Sequence, residues 1–182
     1  MIHKGTKDLN TNRLKLRKLT LKDSKDMYKN WASDEEVTKY LTWKAYKSCD
    51  DVKEMINKWI ENYNKDDFYH WGIELKEIGE VIGTISVVNI KEDIEEMEVG
   101  YCIGKEFWNR GITTEALKCV MEYLFKEVDV NRISLKHDTR NIASGEVMKK
   151  AGLEYEGTLK KASKNNLGIV DIAIYGKINP LK

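Results

Sequence analysis

Met97–Ala116 reads MEVGYCIGKEFWNRGITTEA, and three kinds of local order follow one another within it. Met97, Val99, Tyr101 and Ile103 alternate with Glu98, Gly100 and Cys102, the period of two expected of a strand. Gly104 opens a turn that carries Lys105, Trp108, Asn109, Arg110 and Gly111. From Ile112 the period becomes that of a helix: Ala116, Leu117, Val120, Met121, Leu124 and Phe125 form one apolar stripe, with Glu115, Lys118 and Glu122 off it. A strand, a small-residue turn and a helix start make an anion site. The first helical N–H groups lack a backbone acceptor, and the helix dipole is positive at that end. Gly111 has no Cβ to hold an anion away from its N–H. Phosphate suits such a site, yet NRGITTEA has neither the Gly-Lys-Ser/Thr ending of a P-loop nor the three spaced glycines of a dinucleotide turn.

Outward from this stretch, composition sets bounds. The chain has 182 residues, enough for one domain that buries roughly 70% of its unfolded surface. Thirty-one Lys and Arg oppose 30 Asp and Glu, a net charge of +1, so no bulk electrostatic force draws the chain to nucleic acid or to an anionic membrane. No apolar run has transmembrane length, and MIHKGTKDLN lacks a signal-peptide core, so a cytoplasmic location is expected. Cys49, Cys102 and Cys119 are odd in number and form no CxxC pair, the usage of reduced thiols. His3 and His70 show no ligand spacing, and no metal is expected. The one proline, Pro180, marks no linker, so residues 1–182 are read as a single domain.

Before the central stretch, Arg13–Leu19 alternates as a strand, and Asp23 starts a helix presenting Met27, Tyr28 and Trp31. Asp34 is placed to cap a short helix through Tyr40, and Ser48 with Asp51 forms a capping-box start for a helix to about Tyr63. The aromatics of this region, including Tyr40 and Trp43, read either as core or as the wall of a substrate groove. Phe68–Leu75 and Val81–Ile90 predict two strands joined by a hairpin turn at KEIGE. The carboxylates of KEDIEEME read mostly as a solvated loop, Glu98 excepted. After the central helix come a strand at Asn131–His137 and a helix through Lys150 stopped by Gly152. Two last strands follow, at Leu153–Leu159 and Ile169–Ile178. Hairpin strands that switch to helix-linked strands predict a mixed α/β sheet covered by helices.

GYCIGKEFWNRGITTEAL resembles the coenzyme loop of the GNAT N-acetyltransferases, and more closely that of their RimJ/RimL-type branch, where a Tyr-x-Ile-Gly strand enters a Trp-x-x-Gly-x-x-Thr-Glu-Ala turn. Asn109 stands where that turn commonly has Gly, and Thr113 where Gly or Ala is expected. A second segment, HDTRNIASGEVMKKAGLEYEG, is similar to the same branch in its Asn141, Ser144, Met148 and Gly152 spacing. Together the likeness covers about residues 9 to 178. It implies the GNAT fold, a mostly antiparallel mixed sheet flanked by helices. It also implies acetyl-coenzyme A as co-substrate and an amine acceptor, either a protein N-terminus or a small molecule, and it is compatible with a monomer or a homodimer.

The resemblance also assigns residues. The strand backbone at Val99, Tyr101, Cys102 and Ile103 would hold the pantetheine and the thioester oxygen. Trp108, Asn109, Arg110, Gly111, Ile112, Thr113 and Thr114 would hold the diphosphate. Asn141 would face the pantetheine, although read by itself it is a helix cap. Ser144 would lie near the sulfur as the acid, since the Tyr that many relatives place four residues on is here Met148. Two carboxylates compete as the base, Glu156 preferred over Glu98. A covalent route through Cys102 and His137 is disfavoured, because no third orienting group is evident. A catalytically silent acyl-coenzyme A-binding module is the alternative function.

Overall fold

The computed structural model describes residues 1–182. Eight strands form one sheet in the order β1-β2-β3-β4-β5-β6-β8-β7, namely β1 (Leu9–Asn10), β2 (Leu14–Arg17), β3 (His70–Leu75), β4 (Glu80–Lys91), β5 (Glu96–Ile103), β6 (Arg132–Asp138), β7 (Glu154–Asn165) and β8 (Gly168–Ile178). Five helices complete it: α1 (Ser24–Met27), which widens into π-type turns over Tyr28–Ala32, α2 (Glu35–Thr38), α3 (Cys49–Asn62), α4 (Ile112–Tyr123) and α5 (Ile142–Lys150). This is the mostly antiparallel mixed sheet flanked by helices that the sequence predicts, and only β5 and β6 run parallel.

Strand periodicity divides the core in two. Trp71, Ile73 and Leu75 of β3 and Met97 and Val99 of β5 point to one face, where Ala116, Leu117, Val120 and Met121 of α4 cover them. Each aliphatic side chain so buried contributes about 1.5–3 kcal/mol. On the other face Val52 and Ile56 of α3 pack with Met27, Trp31 and Val81. Ser48 starts α3 as expected: its hydroxyl accepts from the Asp51 N–H at 3.1 Å while the Asp51 carboxylate accepts from the Ser48 N–H at 3.1 Å.

One feature positions the site. β5 pairs with β4 along nearly its whole length, but with β6 only from Glu96↔Arg132 to Glu98↔Ser134. β6 turns instead to β8, which it follows to Asp138. From Val99 onward the edge of β5 facing β6 has no strand partner, so the sheet splits into a cleft.

In the acidic segment before β5, Glu92 and Asp93 are exposed as read, but Glu96 departs from that reading. Glu96 is already in the strand and buried, accepting from Lys91 at 2.9 Å, Arg132 at 2.8 Å and Ser134 at 3.0 Å. Three donors offset its desolvation, which a charge pattern in one dimension does not show.

Candidate functional site

The cleft opens into a cavity of about 450 Å³. Val99, Gly100, Tyr101 and Cys102 form one wall and Leu135, Lys136, His137 and Asp138 the other. Alternate residues of β5 point to opposite faces, so a cavity touching both Tyr101 and Cys102 passes through the sheet. Asn141, Ser144 and Met148 of the α5 segment reach it from one side. Tyr40 and Trp43, the expected groove residues, line it from the other.

Ser144 meets Tyr101 here. The Tyr101 hydroxyl donates to the Ser144 carbonyl at 2.9 Å and lies 3.0 Å from Ser144 Oγ. Burial pushes the Tyr101 phenol well above its ordinary range, so it stays protonated at every physiological pH. Asn141 caps α5, its side-chain oxygen accepting from the Ser144 N–H at 3.3 Å. The cap role read from the sequence and a place on the cavity wall therefore coexist. Burial pushes the Cys102 thiol up to about 12, and the His137 Nδ1 faces the Asp138 carbonyl at 2.8 Å rather than sulfur.

The two carboxylates separate. Glu156, on β7, does not line the cavity. Its oxygens are gripped by both terminal nitrogens of Arg132, one at 2.6 Å, and this pairing holds its carboxyl below the usual range. Glu156, the carboxylate preferred from the sequence, thus has its side chain turned onto Arg132 of β6. Glu98 does not line the cavity either, but it lies on the same face of β5 as Gly100 and Cys102, which do, and pairs at 2.9 Å with Lys136, a cavity residue.

At the far end of β5 the turn into α4 has the geometry expected of an anion cradle. Gly111 caps the helix with φ of 71°, and no side chain caps it. A Cβ built on Gly111 would meet only Arg13 Nη2, at 3.7 Å, so the space above it is open. Asn109 also has positive φ, 58°, a conformation that Gly favours and Asn tolerates. Trp108 donates its indole N–H to the Ile103 carbonyl at 3.0 Å, and Arg110 stays at the surface with its guanidinium near the Phe107 ring. Ile112 and Thr113 are buried and Thr114 half-buried, so Ile112 offers its backbone alone. The turn is tied down by Arg13, which donates to the Arg110 carbonyl at 3.0 Å and to Glu115 at 2.7 Å. The residues present fit a bound coenzyme: an uncapped helix start, an open glycine and an unpaired strand edge.

Several site residues are invisible to sequence reasoning. Asn166, on the β7–β8 turn, donates to the Thr38 and Trp43 carbonyls at 2.9 and 2.8 Å and so pins the loop that carries Tyr40 and Trp43. Asp138 accepts from Arg140 at 2.6 Å and from Asn165 at 2.8 Å, tying the α5 entrance to the same turn. Arg140 holds the Asp138 carboxyl down to about 2. A carboxylate so depressed stabilises the fold fully above its unfolded value near 3.9, and that contribution is lost as pH falls through about 2. Because Arg140 is half-exposed, about 1–2 kcal/mol is expected. Asp138→Asn should therefore lower stability at pH 7 by that amount, with the gap to wild type closing between pH 4 and pH 2 in urea titrations (). A constant gap at all pH would remove the ion pair as its cause.

Comparison with known proteins now decides the family. Residues 13–154 match the acetyltransferase (GNAT) domain model. The chain belongs to the GNAT N-acetyltransferases. It is 30% identical over 172 residues to the N-acetyltransferase YoaA of Bacillus subtilis, spanning 94% of this chain and 97% of that one. It is 28% identical over 99 residues to the ribosomal-protein-serine acetyltransferase of Escherichia coli, covering 54% and 55% of the two chains. Among solved structures, the RimL ribosomal L7/L12 alpha-N-protein acetyltransferase in complex with coenzyme A superposes with a TM-score of 0.86 at 20% identity, covering 97% of this chain and all of that one. GNAT enzymes take their acetyl group from acetyl-coenzyme A, and this GNAT chain has no helix long and apolar enough to cross a membrane.

Proposed function

We propose that this acetyltransferase moves an acetyl group directly from acetyl-coenzyme A to a primary amine held in the cavity, with no acyl-enzyme. The observation that carries this reading is the split between β5 and β6, which leaves a free strand edge inside a cavity open to both faces of the sheet. Bound acetyl-coenzyme A supplies the thioester. Its diphosphate would rest on the N–H groups of Gly111 to Thr114, and its amide-bearing arm would pair with β5 as an added strand.

Glu98 takes the proton that the acceptor ammonium must lose before its nitrogen can attack. A backbone N–H of β5 near Val99 to Cys102 faces the carbonyl oxygen as it gains charge, a donor worth about 3 kcal/mol. Ser144 donates to the departing sulfur, its hydroxyl turning there from its 3.0 Å contact with the Tyr101 oxygen. The proton that leaves nitrogen on amide formation balances the one that sulfur gains. The raised Cys102 thiol speaks against a covalent route, and the Ser144–Tyr101 pair against a silent binding module. The acceptor is a protein N-terminal amine or a small-molecule amine.

The test is release of coenzyme A thiol from acetyl-coenzyme A by the full chain, followed with and without added amine. Amine-dependent release with no acetylated protein by mass spectrometry is expected. Release that proceeds through an acetylated Cys102 would replace direct attack by a two-step route.

A further inference from the structure

Beyond Ser144 the cavity is lined by rings rather than by free charge. Trp43 and Tyr46 lie with ring centroids 5.4 Å apart, and Trp59 of α3 stacks on His70 of β3 at 4.0 Å. Two charged side chains line the cavity, and both are already engaged: Lys136 by Glu98, and Asp138 by Arg140 and Asn165. No free anion is left for the second ammonium of a polyamine, and no free cation for an acidic head group. Buried in the same wall are polar atoms with no partner. His70 is 7% exposed and Trp31 fully buried, yet His70 Nε2 and Trp31 Nε1 make no hydrogen bond. Burial holds the His70 imidazole neutral, with its pKa down to about 3, so it adds hydrogen-bonding capacity without charge. An unmet buried polar atom costs about 1–3 kcal/mol, and a ligand group that meets it recovers that amount.

We propose that this part of the cavity is a subsite for an aromatic primary amine whose ring carries a hydroxyl, the ring lying among Trp43, Tyr46 and Trp59 and the hydroxyl meeting His70. It rests on the acetyl-transfer reading above and names its acceptor. A hydroxyl suits this place because it both donates and accepts, so it serves either tautomer of the imidazole. The aromatic faces also attract the incoming ammonium before it is deprotonated. Two sources supply the same chemistry: a free hydroxyphenylalkyl amine, or the N-terminal tyrosine of a peptide.

The experiment uses the full chain loaded with coenzyme A for calorimetric binding, and with acetyl-coenzyme A for turnover. The amines are 4-hydroxyphenethylamine, phenethylamine, spermidine, glucosamine and a tripeptide beginning with Tyr. The hydroxylated amine or the Tyr tripeptide should exceed spermidine and glucosamine in affinity and in kcat/KM by about tenfold or more, and whichever of the two leads names the source (). Phenethylamine should trail its hydroxylated analogue by about three- to tenfold, as the loss of one hydrogen bond predicts (). His70→Phe, which keeps a ring against Trp59, should erase that difference in protein that still binds coenzyme A. If His70→Phe proves unstable, His70→Gln, which keeps a hydrogen-bonding end, should retain part of the preference. Tight binding of the hydroxylated amine without turnover would leave the subsite standing and overturn the transfer reading. Preference for spermidine or glucosamine, or no binding of either aromatic form by protein that still binds coenzyme A, would overturn the subsite and leave the transfer reading intact.

Discussion

Replacing Ser144 by Ala should lower kcat by about ten- to thousandfold while leaving the affinity for acetyl-coenzyme A nearly unchanged (). The reasoning starts from the two contacts Tyr101 makes. One is to the Ser144 hydroxyl and survives only with the side chain; the other is to the Ser144 carbonyl and belongs to the backbone. Ser144→Ala therefore removes the group proposed to meet the sulfur while the tie between α5 and β5 persists. The parts proposed to bear affinity, the Gly111 turn and the β5 edge, lie elsewhere. A loss of this kind appears in kcat and in kcat/KM equally, because the donor acts as charge develops on sulfur. Tyr101→Phe should give a smaller loss, since it leaves Ser144 in place but free to rotate. A Ser144→Ala enzyme with wild-type kcat and weakened coenzyme binding would assign Ser144 to binding alone.

The second large effect concerns the base. Glu98→Gln should reduce kcat/KM by about a hundredfold or more near neutral pH, with the deficit shrinking as pH rises (). The sign follows from the acceptor: above its own pKa the amine arrives deprotonated and no longer needs Glu98. The substitution also frees Lys136, but that ammonium is half-exposed and can be solvated, so the fold should tolerate it. Glu156→Gln should keep near wild-type turnover, because its carboxylate serves Arg132 outside the cavity. If Glu156→Gln instead shows the pH-rescued defect, the Arg132 pair must open during turnover, and the base is Glu156.

Much of this structure is legible along the chain because its signals are local. Period two from Met97 to Ile103, the switch to a helix at Ile112, the Ser48–Asp51 box and the stop at Gly152 all depend on residues within a few positions of one another. The turn before α4 is local too, so Gly111 and Asn109 stand out before any fold is known, and the left-handed backbone at both gives the reason. The acceptor side is different. His70 reads as one residue of an alternating strand, and only α3, folding back to lay Trp59 on it, makes it part of a cavity wall. Asn166 reaches carbonyls more than 120 positions away, and no periodicity encodes such a contact. The orientation of Glu156 is hidden from the sequence for the same reason. Its place after α5 suits a base, but the direction of its side chain is set by Arg132 on the neighbouring part of the sheet.

The most direct measurement is thermal unfolding of the full chain titrated with acetyl-coenzyme A, wild type beside Gly111→Val. A ligand of the native state at a hundred times its Kd adds about 2.7 kcal/mol, which for a chain of this size raises Tm by about 5–10 °C (). Wild type should show that saturable rise. Gly111→Val, which forces a branched side chain into a left-handed position and into the space above the helix start, should need about tenfold or more coenzyme for the same shift. A wild-type chain whose Tm does not move at millimolar acetyl-coenzyme A would contradict the account at its centre.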